Sequence, residues 1–332
     1  MQISRREFNR LSALAGIACL GRVESEQEKT AVPVAVVKCN DRKQGIQKAV
    51  SLLEEANYAG KDVYLKGNYN SPDSFPATTH PESLRAVAEH IKSKGSQRII
   101  LAERSGMGSS REVLAKLGGL DLLKQLDIEF LPLEEMAAGD WQKMELPRSH
   151  WNDGIEIPKF ITQKACVVQI CNLKTHRFGA VFSASLKNSI GLIAKHSSIE
   201  RKRNYMQELH TSRYQSQMIA EVNQTYAPEL VIMDAIQVFV KGGPESGEVA
   251  NPGIIAASKD RIALDAVGVA ILQQFGAQTL RDQGPIFEQE QLKRAVELKL
   301  GVQSAKDIQL LTDDKDSRFI ATKIENLLKE FQ

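Results

Sequence analysis

VYLKGNYNSPDSFPATTHPESLRAVAEHIKSKGSQRIILAERSG, residues 63–106, holds a strand, a helix and a second strand in one run. The strand at 63–66 leads into a polar loop. Thr79-His80-Pro81-Glu82 then opens a helix, either as a capping box on Thr79 or with His80 as cap and Pro81 in the first helical position. Leu84, Val87, Ala88 and Ile91 recur at helical spacing, and Gly95 supplies the stop. A second strand, 98–102, runs into Glu103-Arg104-Ser105-Gly106. Upstream, VPVAVV at 32–37 reads as a strand. It is followed by a helical face of Ile46, Ala49, Val50, Leu52 and Leu53 that closes at Gly60. The β–α–β–α–β order predicts an α/β fold: a largely parallel sheet with flanking helices, divided into two α/β lobes.

Downstream, 131–160 carries both tryptophans, Trp141 and Trp151, and reads as a connection with short strands. An apolar strand at 165–170 delivers CNLKTHRFGAVFSASLKNSIGL, residues 171–192. The second half of that stretch is a helix start with Ser183 or Ser185 as cap. Lys187 and Asn188 then fall in the first turns, where an anion could meet free backbone N–H groups. Residues 195–226 read as a long polar helical segment containing His196 and His210, and its Arg201-Lys202-Arg203 run as a solvated face. A strand at 229–233 ends at Asp234, a turn-rich loop occupies 241–248, and a short strand follows at 253–257. Asp260 caps a helix whose face includes Ile262, Leu264, Val267 and Ile271. The expected organisation is 1–22 as an export signal, 23–31 as a polar spacer, 32–310 as the α/β domain with lobes at 32–150 and 160–310, and 311–332 as a C-terminal helix.

The chain has 332 residues, 42% hydrophobic and 25% charged, which is globular composition. No run reaches the ~18–20 apolar residues of a membrane span, so none is expected in the mature chain. Ser4-Arg5-Arg6-Glu7-Phe8 before LSALAGIACLG has the form of a twin-arginine export signal, which implies the twin-arginine (Tat) machinery as a partner and a periplasmic or cell-envelope address. Whether this signal is cleaved, or Cys19 is lipidated, stays open. Residues 1–22 carry a net +3 of the whole chain's +2, leaving −1 for the remainder. Such a balance gives no basic surface for nucleic acid. The four cysteines, Cys19, Cys39, Cys166 and Cys171, form no C-x-x-C, so iron–sulfur and zinc ligation have no motif, and the identity of any cofactor is open.

Strand after strand ends in polar or glycine-containing residues: Lys66-Gly67-Asn68, Glu103-Arg104-Ser105-Gly106, Asn172-Leu173-Lys174-Thr175-His176 and Asp234. In an open parallel sheet such ends share the edge at which ligands bind. The residue types suit a small anionic partner. Lys66, Asn68, Thr79, Ser105, Thr175, Lys187, Asn188 and Gly243 are the candidate anion-binding residues, and Lys174 with His176 the candidate acid–base pair. His80, His176, Asp234 and Glu103 are the alternative candidates for a metal.

Several motifs in order resemble the domain of unknown function 362 family. VAVVK comes first. Lys66-Gly67-Asn68 stands where the family usually reads K-P-N, and 77–82 resembles its threonine-rich helix start. Asn172-Leu173-Lys174-Thr175-His176 is similar to the family's P-K-L-K-T-H, and 185–191 to its L-K-N-x-x-G. Pro228-Glu229-Leu230, Asp234-Ala235-Ile236, 243–247 and Leu264-Asp265-Ala266-Val267-Gly268 complete the series. Gly67 departs from the family's proline, and Cys171 and Asn172 from its proline and first lysine. Many relatives add an iron–sulfur module whose clustered cysteines this chain lacks. The resemblance implies a fold and no particular reaction. Three functions follow as expectations: an exported enzyme acting on a small anionic substrate or cofactor, a non-catalytic periplasmic binding protein, or a metal-dependent site using His80 and His176.

Overall fold

Every residue of Cys166–Thr175 is buried, as a strand's residues are only when both sheet faces are covered. The structure is a computed structural model and describes residues 31–54, 56–178, 181–199 and 203–330. The twin-arginine stretch, Cys19, the spacer up to residue 30, and Arg201 and Lys202 lie outside the described residues.

The first half comprises β1 (Val32–Lys38), α1 (Arg42–Ser51), β2 (Asp62–Lys66), α2 (Pro81–Ser93), β3 (Arg98–Glu103), α3 (Ser110–Lys116), α4 (Gly119–Gln125), β4 (Glu129–Pro132), β5 (Trp141–Met144) and β6 (Ile155–Pro158). After a short α5 (Lys159–Thr162) come β7 (Cys166–Thr175), β8 (Phe182–Ser183), α6 (Ser185–Asn188), α7 (Tyr205–Thr211) and α8 (Gln215–Val222). The chain continues through β9 (Leu230–Gly242), β10 (Gly247–Ala250), β11 (Ile254–Ser258), α9 (Arg261–Gln274), α10 (Gln278–Asp282), α11 (Glu290–Glu297), β12 (Ile308–Leu311) and α12 (Lys315–Lys329).

One large sheet runs in the order β12-β1-β11-β9-β7-β2-β3-β4, with β10 on β9 and β8 on β7. Along this path only β11 opposes its neighbours, so the other seven strands run the same way. The fold is α/β, with a mostly parallel mixed sheet flanked by helices. β2 and β7 are adjacent although one precedes residue 150 and the other follows 160. The lobe boundary expected near 150–165 therefore falls inside one compact unit, Ala31–Gln332. The chain between includes a separate β5–β6 hairpin, whose connection places Trp151 against Tyr205 of α7 and Met218 of α8.

Two other expectations needed correction, and one alternative was resolved. Asp234 does not end its strand. The strand β9 continues to Gly242, and β10 pairs along the extension. The polar segment 195–226 is broken into α7 and α8 rather than one long helix. At the start of α2 the cap is His80, whose Nδ1 accepts from Glu82 N at 3.1 Å, with Pro81 first in the helix.

The chain order turns in opposite directions at β2 and β7. From β2 it moves outward to β3 and β4, whereas from β7 it moves the other way to β9. Doubly wound sheets open a crevice at such a switch, beyond the carboxyl ends of the strands.

Candidate functional site

A cavity of about 380 Å³ lies at this switch. The end of β2 contributes Lys66 and Asn68, the end of β3 contributes Glu103 and Arg104, and β7 contributes Lys174 and His176. Lys187 and Asn188 come from α6, and Met206 and Leu209 from α7.

Lys66 is fully engaged. Its Nζ donates to Glu103 Oε1 at 2.6 Å, to the Gly67 carbonyl at 2.6 Å and to Asn188 Oδ1 at 3.4 Å. Glu103 Oε1 also accepts from Arg104 N at 3.0 Å, while Glu103 Oε2 is buried without a hydrogen-bond partner. Burial pushes Glu103 up and Lys66 down, against the attraction between them. Gly191 is required beside this pair, because a Cβ there would lie 2.5 Å from Lys66 Cε.

Lys174 has only neutral acceptors: Asn68 Oδ1 at 3.3 Å and the Ala77 carbonyl. Burial, with the charge of Lys187 beside it, lowers the ammonium from 10.5 to about 7. Lys187 is half-buried, and its ammonium has no hydrogen bond or ion pair to another described residue. Burial and then Arg104 lower it to about 8. Arg104, itself buried, spends its guanidinium on the carbonyls of Ile193 at 2.9 Å and Ile190 at 2.5 Å. His176 is held near 2 by burial and then by Lys187 and Lys174, so its ring is neutral. Its Nδ1 lies 3.0 Å from the Phe178 carbonyl, leaving Nε2 without a described partner. The cavity thus concentrates positive charge, with one carboxylate committed to Lys66 and a second, Glu245, paired to Arg177 at the rim.

Lys66, Asn68, Lys174, His176, Lys187, Asn188 and Glu103 line this one cavity. The other candidates stand behind its wall. Thr79 Oγ1 accepts from Asn68 N at 2.8 Å and so positions Asn68. Ser105 Oγ donates to the Asn70 carbonyl at 2.7 Å. Thr175 Oγ1 donates to Phe239 O at 3.1 Å. Gly243, at φ +72°, packs so closely on Thr175 that a Cβ would strike the Thr175 carbonyl oxygen. His80 borders a second cavity together with Thr79 and Arg42. Asp234 is bound at 2.9 Å by Arg42 and at 2.6 Å by Ser83 Oγ. The four metal candidates are therefore not gathered. Among the described residues no group of three or more His, Cys, Asp or Glu side chains is placed to hold a metal ion.

The start of α6 also differs from expectation. Ala184, not a serine, precedes it, and Asp265 reaches in from α9. Asp265 accepts from Ser185 N at 2.8 Å, Ser185 Oγ at 2.5 Å and Leu186 N at 2.9 Å. These N–H groups are thus occupied, and an anion in the cavity would meet side chains instead. Asp265 and Arg104, quoted in the sequence but not chosen as site candidates, are contributors, as are Asn70, Arg177, His210 and Glu245 in the lining. Asp265 could have been noticed as a lone acid on the apolar face around Leu264 and Val267; Arg104, beside Glu103, as a further charge at the strand end.

Residues 63–270 match the family described as Domain of unknown function (DUF362). The chain belongs to the DUF362 family. That span runs from β2 into α9 and contains every residue of the DUF362 cavity, as well as Asp265 behind it. A thylakoid-associated protein of Synechocystis sp. is 28% identical over 217 residues, 64% of this chain and 64% of that protein's length. The lactate racemase apoprotein from Thermoanaerobacterium thermosaccharolyticum is similar over 70% of this chain and 55% of its own, at 15% identity and a TM-score of 0.43.

Proposed function

We propose that this DUF362 protein binds a small anionic molecule, a carboxylate or phosphate, in the cavity between β2 and β7, with Lys174 and Lys187 as its cationic partners. The supporting observation is that Lys187 lines the cavity with no anionic partner among the described residues, beside a Lys174 that touches only neutral acceptors. Two ammonium groups that weaken each other are relieved together by one anion. Lys66 does not share this role, because Glu103 already neutralises it. Glu103 Oε2 is left to accept a hydrogen bond from the ligand.

We propose an enzymatic role for the same site. Lys174, at about 7, exchanges a proton readily at neutral pH, as a general acid or base must. His176, held near 2, stays neutral and orients the ligand rather than sharing the proton. The test is a thermal-shift screen of carboxylates and phosphates on the full chain and on Lys187→Met. The wild type should gain several degrees from at least one anion, and the variant should lose most of that gain. Equal gains in both would refute the site. A bound anion that is never turned over would leave a binding protein rather than an enzyme.

Export by the twin-arginine route is part of the proposal and rests on Ser4-Arg5-Arg6-Glu7-Phe8. Replacing Arg5 and Arg6 by lysine should retain the protein in the cytoplasm on cell fractionation; unchanged envelope location would count against it.

A further inference from the structure

The lysines line only part of the cavity. Met107, Phe178, Ile190, Met206, Leu209 and Pro244 line the same cavity. Ile190 and Met206 are buried, whereas Met107 is 52% and Phe178 51% exposed. These two are among five large hydrophobic side chains that the described residues leave exposed, and both border this one cavity. An isolated exposed apolar residue is ordinary; two at the mouth of a pocket whose inner wall is also apolar mark a surface that a ligand covers. Phe178 is held in place, its ring 4.6 Å from the Arg177 guanidinium and edge-on to His176 at 5.9 Å. Arg177 is in turn fixed by Glu245. An exposed aromatic ring therefore borders the same cavity as Lys174, from β7, and Lys187, from α6.

We infer that the ligand of this site is amphipathic: an anionic head group held by Lys174 and Lys187, joined to an apolar chain or ring that lies along Ile190, Met206 and Leu209 and is covered by Met107 and Phe178. This rests on the anion-binding reading and names the class of molecule. A bare phosphate or a fully hydrophilic metabolite would leave the apolar wall wet. A neutral lipid would leave the lysines unanswered. The cavity's volume of about 380 Å³ matches a single small molecule.

The experiment is isothermal titration of the full chain with straight-chain carboxylates from acetate to octanoate, and in a second arm with the corresponding alkyl phosphates, all below their micellar concentrations. Each methylene that enters the apolar wall should tighten binding by about two- to fourfold until the wall is filled. The Met107→Ser/Phe178→Ser double variant, changed only at exposed positions, should cut that increment to half or less. The two arms separate a carboxylate from a phosphate head, and either with a chain-length increment supports the inference. Short and long members binding with equal affinity, in a manner that still depends on Lys187, would overturn the amphipathic ligand while leaving the anion site standing. Binding that strengthens with chain length but ignores Lys187→Met, or no binding in either arm, would overturn both.

Discussion

Lys174 ties stability to the proposed anion binding at a single position. Its ammonium titrates at 10.5 in an unfolded chain and at about 7 in the fold. Between those values the unfolded state holds the extra proton, so stability rises with pH across that window. Below about pH 7 both states are charged, and the folded state bears the full cost of a buried cation. The gap in melting temperature between wild type and Lys174→Met should therefore widen in favour of the wild type from pH 7 to pH 9. Anion binding must run the other way. It needs the protonated lysines and should weaken as pH climbs through about 7 for Lys174 and about 8 for Lys187. Melting curves with and without phosphate across that range check both signs, and parallel curves would contradict the titrations. The lysines themselves were legible in the sequence, because cations at successive strand ends are visible without coordinates. Their division of labour was not. That Lys66 is consumed by Glu103 while Lys187 is free depends on which side chains meet across 37 and more residues of chain.

At the scale of elements, the site depends on α6, a helix of four residues that could not hold its own shape. Its start is fixed from outside by Asp265 on α9, a helix buried along nearly its whole length. Asp265→Ala would leave the N–H groups of Ser185 and Leu186 buried and unpaired, a loss of about 3 kcal/mol. Urea denaturation should show this loss, and the anion-induced stabilisation should shrink with it because Lys187 loses its anchor. A variant as stable as wild type would remove Asp265 from this role. Helix α2 was legible down to its cap residue, since Pro81 and the i, i+3, i+4, i+7 apolar face are local signals. The cap of α6 was hidden because it comes from 80 residues away. The extension of β9 past Asp234 was hidden for a related reason. It depends on the hairpin partner β10, whose pairing no local pattern announces.

At the scale of the molecule, the α/β class was readable from the order of strands and helices, but the strand order was not. β1 and β2 are consecutive in sequence, yet three strands lie between them in the sheet. The parallel β–α–β order is satisfied by either a short or a long crossover, so sequence order alone leaves the neighbours open. The same arrangement explains why two lobes do not form: the central pair β2–β7 joins chain from both halves. The matched span 63–270 includes the cavity but omits β1 and β12. A fragment of those residues would expose the β11 edge that β1 covers and the face of α9 against which α12 packs. It should therefore fail to fold cooperatively, or aggregate, although it contains every cavity residue. Circular dichroism and gel filtration of the fragment check this, and a soluble monomer with a sharp melting transition would contradict it.

The central claim is that the lysines at the β2–β7 crevice hold an anion. Anomalous diffraction from crystals soaked in selenate tests it most directly. A selenium peak within hydrogen-bond reach of Lys187 Nζ and Lys174 Nζ, present at pH 6.5 and lost in Lys187→Met, is the predicted result. Well-diffracting soaked crystals with an empty crevice, or a peak that persists in Lys187→Met, would contradict the account.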